Sequence, residues 1–143
     1  MLLLDNYKQG ELMNKVFLGG TCAESTWREE LIPNLDVPYF NPVVDDWTPE
    51  CQSQEEFEKS EKCNIHLYVI TKEMVGVFSI AEVIESAMTH GKTTIFHVVP
   101  DGFSTSQLKS LEAVKNTVLK HGGISYIDPN IRRTARVINY SFI

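Results

Sequence analysis

Three groups of residues in this chain have types and spacings that could do chemistry. Glu82 stands three residues after Ser79, where a segment of helical periodicity begins. A carboxylate in the first turn of a helix feels the field of the free backbone N–H groups, which favours its ionised form. Held over a sheet edge, it can serve as a nucleophile or a base. The same spacing also reads as a capping box, Ser-x-x-Glu, which needs no chemistry. Asp45-Asp46-Trp47 sets two acids beside a large aromatic. The acids could hold or protonate a heterocycle and the indole could stack on one; the plain alternative is an acidic loop with its aromatic packed on the core. Gly19-Gly20-Thr21 offers a turn whose backbone can approach a ligand closely, with amides free to donate.

Other residues are weaker candidates. Trp27-Arg28 comes after the glycine turn, and the guanidinium could meet an anion or remain a surface charge. Tyr39 and Tyr68 could orient a carboxylate by hydrogen bonding, although both lie in predicted strands, where a core role is simpler. His66 and His97 are strand residues too, and read as core histidines. Cys22 sits near a helix start, where a thiol can be activated, but no partner base is apparent.

The elements that must position these groups are set by periodicity and punctuation. Lys15–Gly20 is a short apolar strand ending in Gly-Gly. Ser25 is the expected cap of a short helix to Leu31, closed by Pro33. Val37–Phe40 is a second strand, residues 43–53 a loop, and Gln54–Lys62 a polar helix. Ile65–Ile70 (IHLYVI) is the most continuous apolar run and suits a central strand covered on both faces. Ser79–His90 reads as a helix stopped by Gly91, Thr93–Val99 as the fourth strand, Ser104–His121 as a long amphipathic helix, and Ile124–Ile127 as the fifth strand. Residues 128–143 are expected to be a tail with a basic cluster, Arg132, Arg133 and Arg136.

Alternation of this kind means α/β: a single three-layer domain, with a five-stranded parallel sheet and helices on both faces. The expected order is flavodoxin-like, 2-1-3-4-5. Its switch point lies between strands 1 and 3, where ligands bind beyond the strands' carboxyl ends. That rule selects Gly19–Cys22 and Thr71–Glu82, with Asn41–Trp47 beside them. Residues 1–12 do not match the rest of the chain in character, and Met13 reads as a natural start. They are therefore expected to be a doubtful extension before a domain spanning 13–143.

Composition removes several classes. Of 143 residues, 43% are hydrophobic and 22% charged, as in a globular chain. The net charge of −6 is the wrong sign for a nucleic-acid backbone binder. No apolar run approaches the roughly 18–20 residues that span a bilayer. Three cysteines without Cys-x-x-Cys spacing argue against a disulfide framework or a zinc site, so a cytoplasmic setting is expected. The four histidines show no i, i+3 or i, i+4 pairing, so no metal site is expected. There is no G-x-G-x-x-G, and Gly91-Lys92-Thr93 runs helix to strand, opposite to a P-loop.

Taken together, the pieces resemble the nucleoside 2-deoxyribosyltransferase-like proteins. The resembling residues are VFLGG, Trp27-Arg28, Asn41-Pro42 followed by Asp45-Asp46-Trp47, the acidic Glu55–Glu58 stretch, IHLYVI, Ser79-Ile-Ala-Glu82 and Gly91-Lys92, over about residues 15–127. The resemblance implies cleavage of the N-glycosidic bond of a nucleoside or nucleotide through a covalent sugar–glutamate intermediate. The glutamate by position is Glu82. Asp45 and Asp46 would hold and protonate the base, with Asp46 the catalytic member, and Tyr39 would orient the glutamate. Gly19, Gly20, Thr21, Trp27, Arg28, Trp47 and Ser79 would complete substrate binding. Two displacements at one carbon retain configuration, as in retaining glycosidases. No cofactor is implied. A homo-oligomer is, with a C-terminal asparagine from a neighbouring subunit; Asn130 and Asn139 are available. The segment Thr71–Phe78 departs from the family in carrying Gly76 but no aspartate.

The alternative expectation is a binder that sequesters or senses a nucleotide-derived molecule without turning it over. Arg28 and Lys72 would be its nearest cations. A flavin carrier or phosphoacceptor receiver of the same topology is disfavoured, because no hydroxyl-rich phosphate loop is present and Asp45-Asp46 comes after the wrong strand.

Overall fold

The computed structural model describes residues 13–22 and 24–142. The expectation for residues 1–12 lies outside them. Five strands alternate with five helices among the described residues: β1 (Val16–Gly20), α1 (Trp27–Leu31), β2 (Tyr39–Phe40), α2 (Pro49–Phe57), β3 (Ile65–Ile70), α3 (Phe78–Ala87), β4 (Thr93–Val98), α4 (Thr105–Lys120), β5 (Ile124–Ile127) and α5 (Arg132–Phe142). All strand pairs are parallel and the order is β2-β1-β3-β4-β5, as the alternation predicts.

Side chains alternate across the pleat, so each strand feeds two cores. On one face Val16, Leu18, Ile65, Leu67, Val69 and Ile95 pack against Trp27 and Leu31 of α1 and Ala135 and Ile138 of α5. On the other, Phe17, Tyr68, Ile70, Phe96 and Val98 pack against Val83 of α3 and Leu111 and Val118 of α4. β3 is fully buried along its length, which accounts for its unbroken apolar run. α4 begins at the Ser104 cap, whose hydroxyl accepts from Gln107 N while the Gln107 side chain accepts from Ser104 N.

Several boundaries differ from expectation for local reasons. The loop expected over 43–53 ends early, because Thr48 caps a helix with Pro49 in its first turn and accepts from Cys51 N at 3.3 Å. That helix runs into a π-helical turn, Glu58–Lys62, closed by the i→i−5 bond from Cys63 N to Glu58 O at 2.7 Å. Ser25 does not cap α1; Thr26 occupies that position, and the Ser25 hydroxyl donates to the Thr21 and Cys22 carbonyls. The tail expected over 128–143 is instead a helix. Its residues Ile131, Ala135 and Ile138 fall at helical spacing and are buried. His97 anchors it to the sheet through Thr134 at 2.7 Å. Of the basic cluster, Arg133 lies over the Tyr126 ring, 4.1 Å from its centroid, and pairs with Asp128 at 3.1 Å.

Candidate functional site

The switch point between β1 and β3 opens into a cavity of about 260 Å³. It is walled by Gly20–Cys22 beyond β1, by Glu73–Gly76 and Phe78–Ser79 beyond β3, and by Glu82. A smaller cavity of about 160 Å³ lies on the other side of Glu82. It is lined by Lys59, His66, Tyr68, Glu85 and Ser86, among others. Glu82 is common to both.

The two glycines are fixed by what surrounds them. A Cβ on Gly19 would stand 2.6 Å from Cε1 of Tyr68, a side chain with no exposed surface. Gly20 has φ +107° and a Cβ there would strike the Val69 backbone. Thr21 then closes the turn. Its N–H donates to Val69 O at 2.9 Å and its hydroxyl accepts from Thr71 N at 3.0 Å. Its carbonyl accepts from Trp27 Nε1 at 2.8 Å and Arg28 Nη1 at 2.7 Å. Arg28 also donates to Leu18 O through Nε and Nη2, and lies 4.2 Å from the Trp27 ring centroid. Trp27 and Arg28 are therefore staples of the β1 turn, and neither lines the cavity. Burial pushes the Arg28 pKa down, against the nearby Cys22.

Glu82 is mostly buried, its side chain 19% exposed. The capping box expected with Ser79 does not form: α3 starts at Phe78, Val77 takes the cap position and no side chain caps it. Ser79 lies inside the first turn and lines the cavity. The Glu82 carboxylate is instead paired with Lys59, whose Nζ donates to Oε2 at 2.8 Å. Oε1 makes no hydrogen bond among the described residues. Burial works against the Lys59 charge, but Glu82 and Glu56 outweigh it and hold the ammonium above its ordinary range.

The structure brings two further groups here: Glu73, which the sequence did not single out, and Tyr68, the second of the two strand tyrosines that could orient a carboxylate. Glu73 lines the larger cavity, and its Oε2 is buried with no partner among the described residues. Tyr68 lines the smaller one, with its hydroxyl likewise unpartnered. Burial raises the Tyr68 pKa, and the charges of Glu82, Glu85 and Glu56 raise it further, so the hydroxyl remains a donor. Tyr39, the tyrosine expected beside the glutamate, is exposed and pairs with Val16. It lies toward the amino end of β1, away from the cavity. Asp45, Asp46 and Trp47 are exposed, Trp47 at 60%, and none lines either cavity. The signal for Glu73 was its place in the β3–α3 connection at the switch point. Tyr68 was a candidate only by residue type, since it looks like any core tyrosine of a strand.

His66 and His97 are hydrogen-bonded core residues, as their strand positions imply. His66 Nε2 contacts the Lys59 and Cys63 carbonyls, so it must carry the proton; Nδ1 accepts from Ser86 at 2.8 Å. Asn139 is occupied within its own chain, bonding Asp36 N and Asn34 O. No helix is long and apolar enough to cross a membrane among the described residues.

The chemistry available is that of a carboxylate with one oxygen held and one free, facing a cavity lined, among the described residues, by a second acid and by no lysine or arginine. No curated protein matches the chain. One protein-family profile, described as nucleoside 2-deoxyribosyltransferase like, matches residues 13–103.

Proposed function

We propose that this chain, which belongs to the nucleoside 2-deoxyribosyltransferase-like family, cleaves the N-glycosidic bond of a 2′-deoxynucleoside through a covalent sugar ester on Glu82. One observation carries the reading: Glu82 faces the switch-point cavity with Oε2 fixed by Lys59 and Oε1 unbonded. A carboxylate so held meets the geometric demand on a nucleophile, one lone pair aimed and the group unable to turn away.

In the first displacement Oε1 bonds to the sugar C1′ and the C1′–N bond breaks. Its electron pair leaves on the base, which takes a proton. Glu73 supports that proton transfer, because it is a second acid among the residues that line the same cavity. Asp45 and Asp46 can take the role only if their loop moves onto the bound base. In the second displacement water or an acceptor base attacks C1′, and the pair returns to Oε1. Tyr68 takes the supporting place beside Glu82 that the family resemblance gave to Tyr39.

The cavity lining also favours an unphosphorylated substrate. Among the described residues the cavity is lined by Glu73 and Glu82 and by no cation. Arg28 is committed to backbone carbonyls, and Lys72 lines a different pocket. The same lining argues against a binder of phosphate-bearing ligands.

The test is incubation with deoxynucleosides and their 5′-phosphates, with released base read by liquid chromatography. The expected result is base from a deoxynucleoside with wild type, little from its phosphate, and none with Glu82→Gln. Full activity in folded Glu82→Gln refutes the mechanism.

A further inference from the structure

We propose that Lys59 is the positioning residue for Glu82, and that the helix running into the π turn serves to deliver it. This rests on Glu82 being the nucleophile. From Pro49 to Lys62 this element buries one side chain, and it is the lysine: α2 has no buried residue, and the π turn buries Lys59 alone, at 8% exposure. Helices are ordinarily held to a domain by an apolar stripe. This one is held by polar ties. Lys15 pairs with Glu58 at 2.8 Å, Lys92 donates to Ser60 O at 2.7 Å, and Lys59 reaches Glu82.

Burying a lone cation is unfavourable unless it is paired and hydrogen-bonded. Among the described residues Lys59 meets that condition through acids, Glu82 at 2.8 Å and Glu56 at 3.1 Å. The backbone beneath it is fixed as well, since His66 Nε2 donates to Lys59 O at 2.7 Å. Lys59 lies within the π turn, and such turns recur at functional sites.

Lys59 touches Oε2 and leaves Oε1 to the substrate. It therefore acts on both displacements without touching the sugar. Before the first it fixes the carboxylate rotamer. In the second the Oε1–C1′ bond breaks and its electron pair returns to the carboxylate, while the incoming water binds C1′ and releases a proton to solvent. The ammonium on Oε2 offsets the charge that reappears, so its loss slows release of the sugar more than its capture.

The experiment compares wild type, Lys59→Met, Lys59→Arg and Glu82→Gln on a 2′-deoxynucleoside. Steady-state kinetics, intact-protein mass and thermal unfolding are read together. Lys59→Met is expected to lower kcat by roughly ten- to a hundredfold, the weight of one charge-assisted hydrogen bond. Its KM should fall along with kcat, while kcat/KM, which reports the first displacement, stays within about threefold, because the lysine does not touch the substrate. A sugar adduct should accumulate on the protein, and Lys59→Arg should recover most of the rate. Wild-type kcat in Lys59→Met beside an inactive Glu82→Gln overturns this proposal and leaves the nucleophile standing. A fall in kcat without adduct, or an equal loss in Lys59→Arg, marks packing damage and overturns it too. Activity in Glu82→Gln removes the reading beneath it. If Lys59→Met does not fold, Lys59→Gln, which keeps a neutral donor, is judged by the same outcomes.

Discussion

Acid should loosen this site through His66, and the effect can be sized. The ring is 4% exposed and joins three elements: Ser86 of α3, Thr94 of β4 beyond it, and the Lys59 carbonyl of the π turn. Nε2 already donates, so a second proton would go to Nδ1, against a Ser86 hydroxyl that is itself donating. Burial is the main cause that pushes the His66 pKa down, from 6.5 to about 4. A folded pKa below the unfolded one means that the unfolded chain binds the proton more readily. Stability is then full above pH 6.5 and is lost as pH falls from there to about 4. The whole shift corresponds to about 3 kcal/mol at 1.36 kcal/mol per unit. About 2 kcal/mol of that is lost between pH 7 and pH 5. The assay is urea unfolding of wild type and His66→Gln at pH 7, 6 and 5. His97 and Asp128, both lowered, and Glu55, raised, are present in both proteins and cancel in the difference. His66→Gln keeps a donor toward Lys59 O and cannot titrate, so its deficit against wild type should shrink by about 2 kcal/mol from pH 7 to pH 5. A deficit that stays constant over that range refutes the argument.

The same geometry sets other outcomes. Gly19→Ala should destabilise by about 1–3 kcal/mol on thermal unfolding, because the new methyl would stand 2.6 Å from the buried Tyr68 ring, which must shift; Gly20→Ala should be worse, since its backbone conformation also disfavours a side chain. Glu73→Gln should lower kcat for base release while Asp45→Asn and Asp46→Asn leave it within about twofold, as only Glu73 lines the cavity; the reverse pattern in steady-state kinetics would move base recognition to the β2–α2 loop. Ile138→Ala, which empties a fully buried position on α5, should cost about 2–5 kcal/mol in urea unfolding. An unchanged midpoint there would mean that the C-terminal helix is not part of the core.

Much of the fold was legible because the signals that specify it are local. Unbroken apolar strands, helical stripes of Leu and Val, and glycine or proline stops are properties of short stretches of consecutive residues. They yield five parallel strands and, with right-handed crossovers, an order. The misreadings were local too. Thr48-Pro49 is an N-cap followed by proline in the first turn. Ile131, Ala135, Ile138 and Phe142 keep helical spacing, with the arginines between them on the outer side of the stripe.

Within the candidate site, the sequence by itself determined where the switch-point cavity opens and which helix brings a carboxylate to it. The Gly19-Gly20 turn ends β1, and α3 begins beyond β3 with Glu82 in an early turn; both are consequences of chain order. Partnership was decided only by the tertiary structure. Lys59 stands 23 residues from Glu82 and meets it through a π turn that no periodicity announces. Arg28 looked free for an anion and is held by the Leu18 and Thr21 carbonyls. Tyr68 and Tyr39 are both strand tyrosines, and only the register of the sheet sets one beside Glu82 and the other at the far end. The physical reason is the same in each case. Backbone periodicity is written in neighbouring residues, whereas the charge or hydroxyl that a buried side chain meets depends on how separate elements pack.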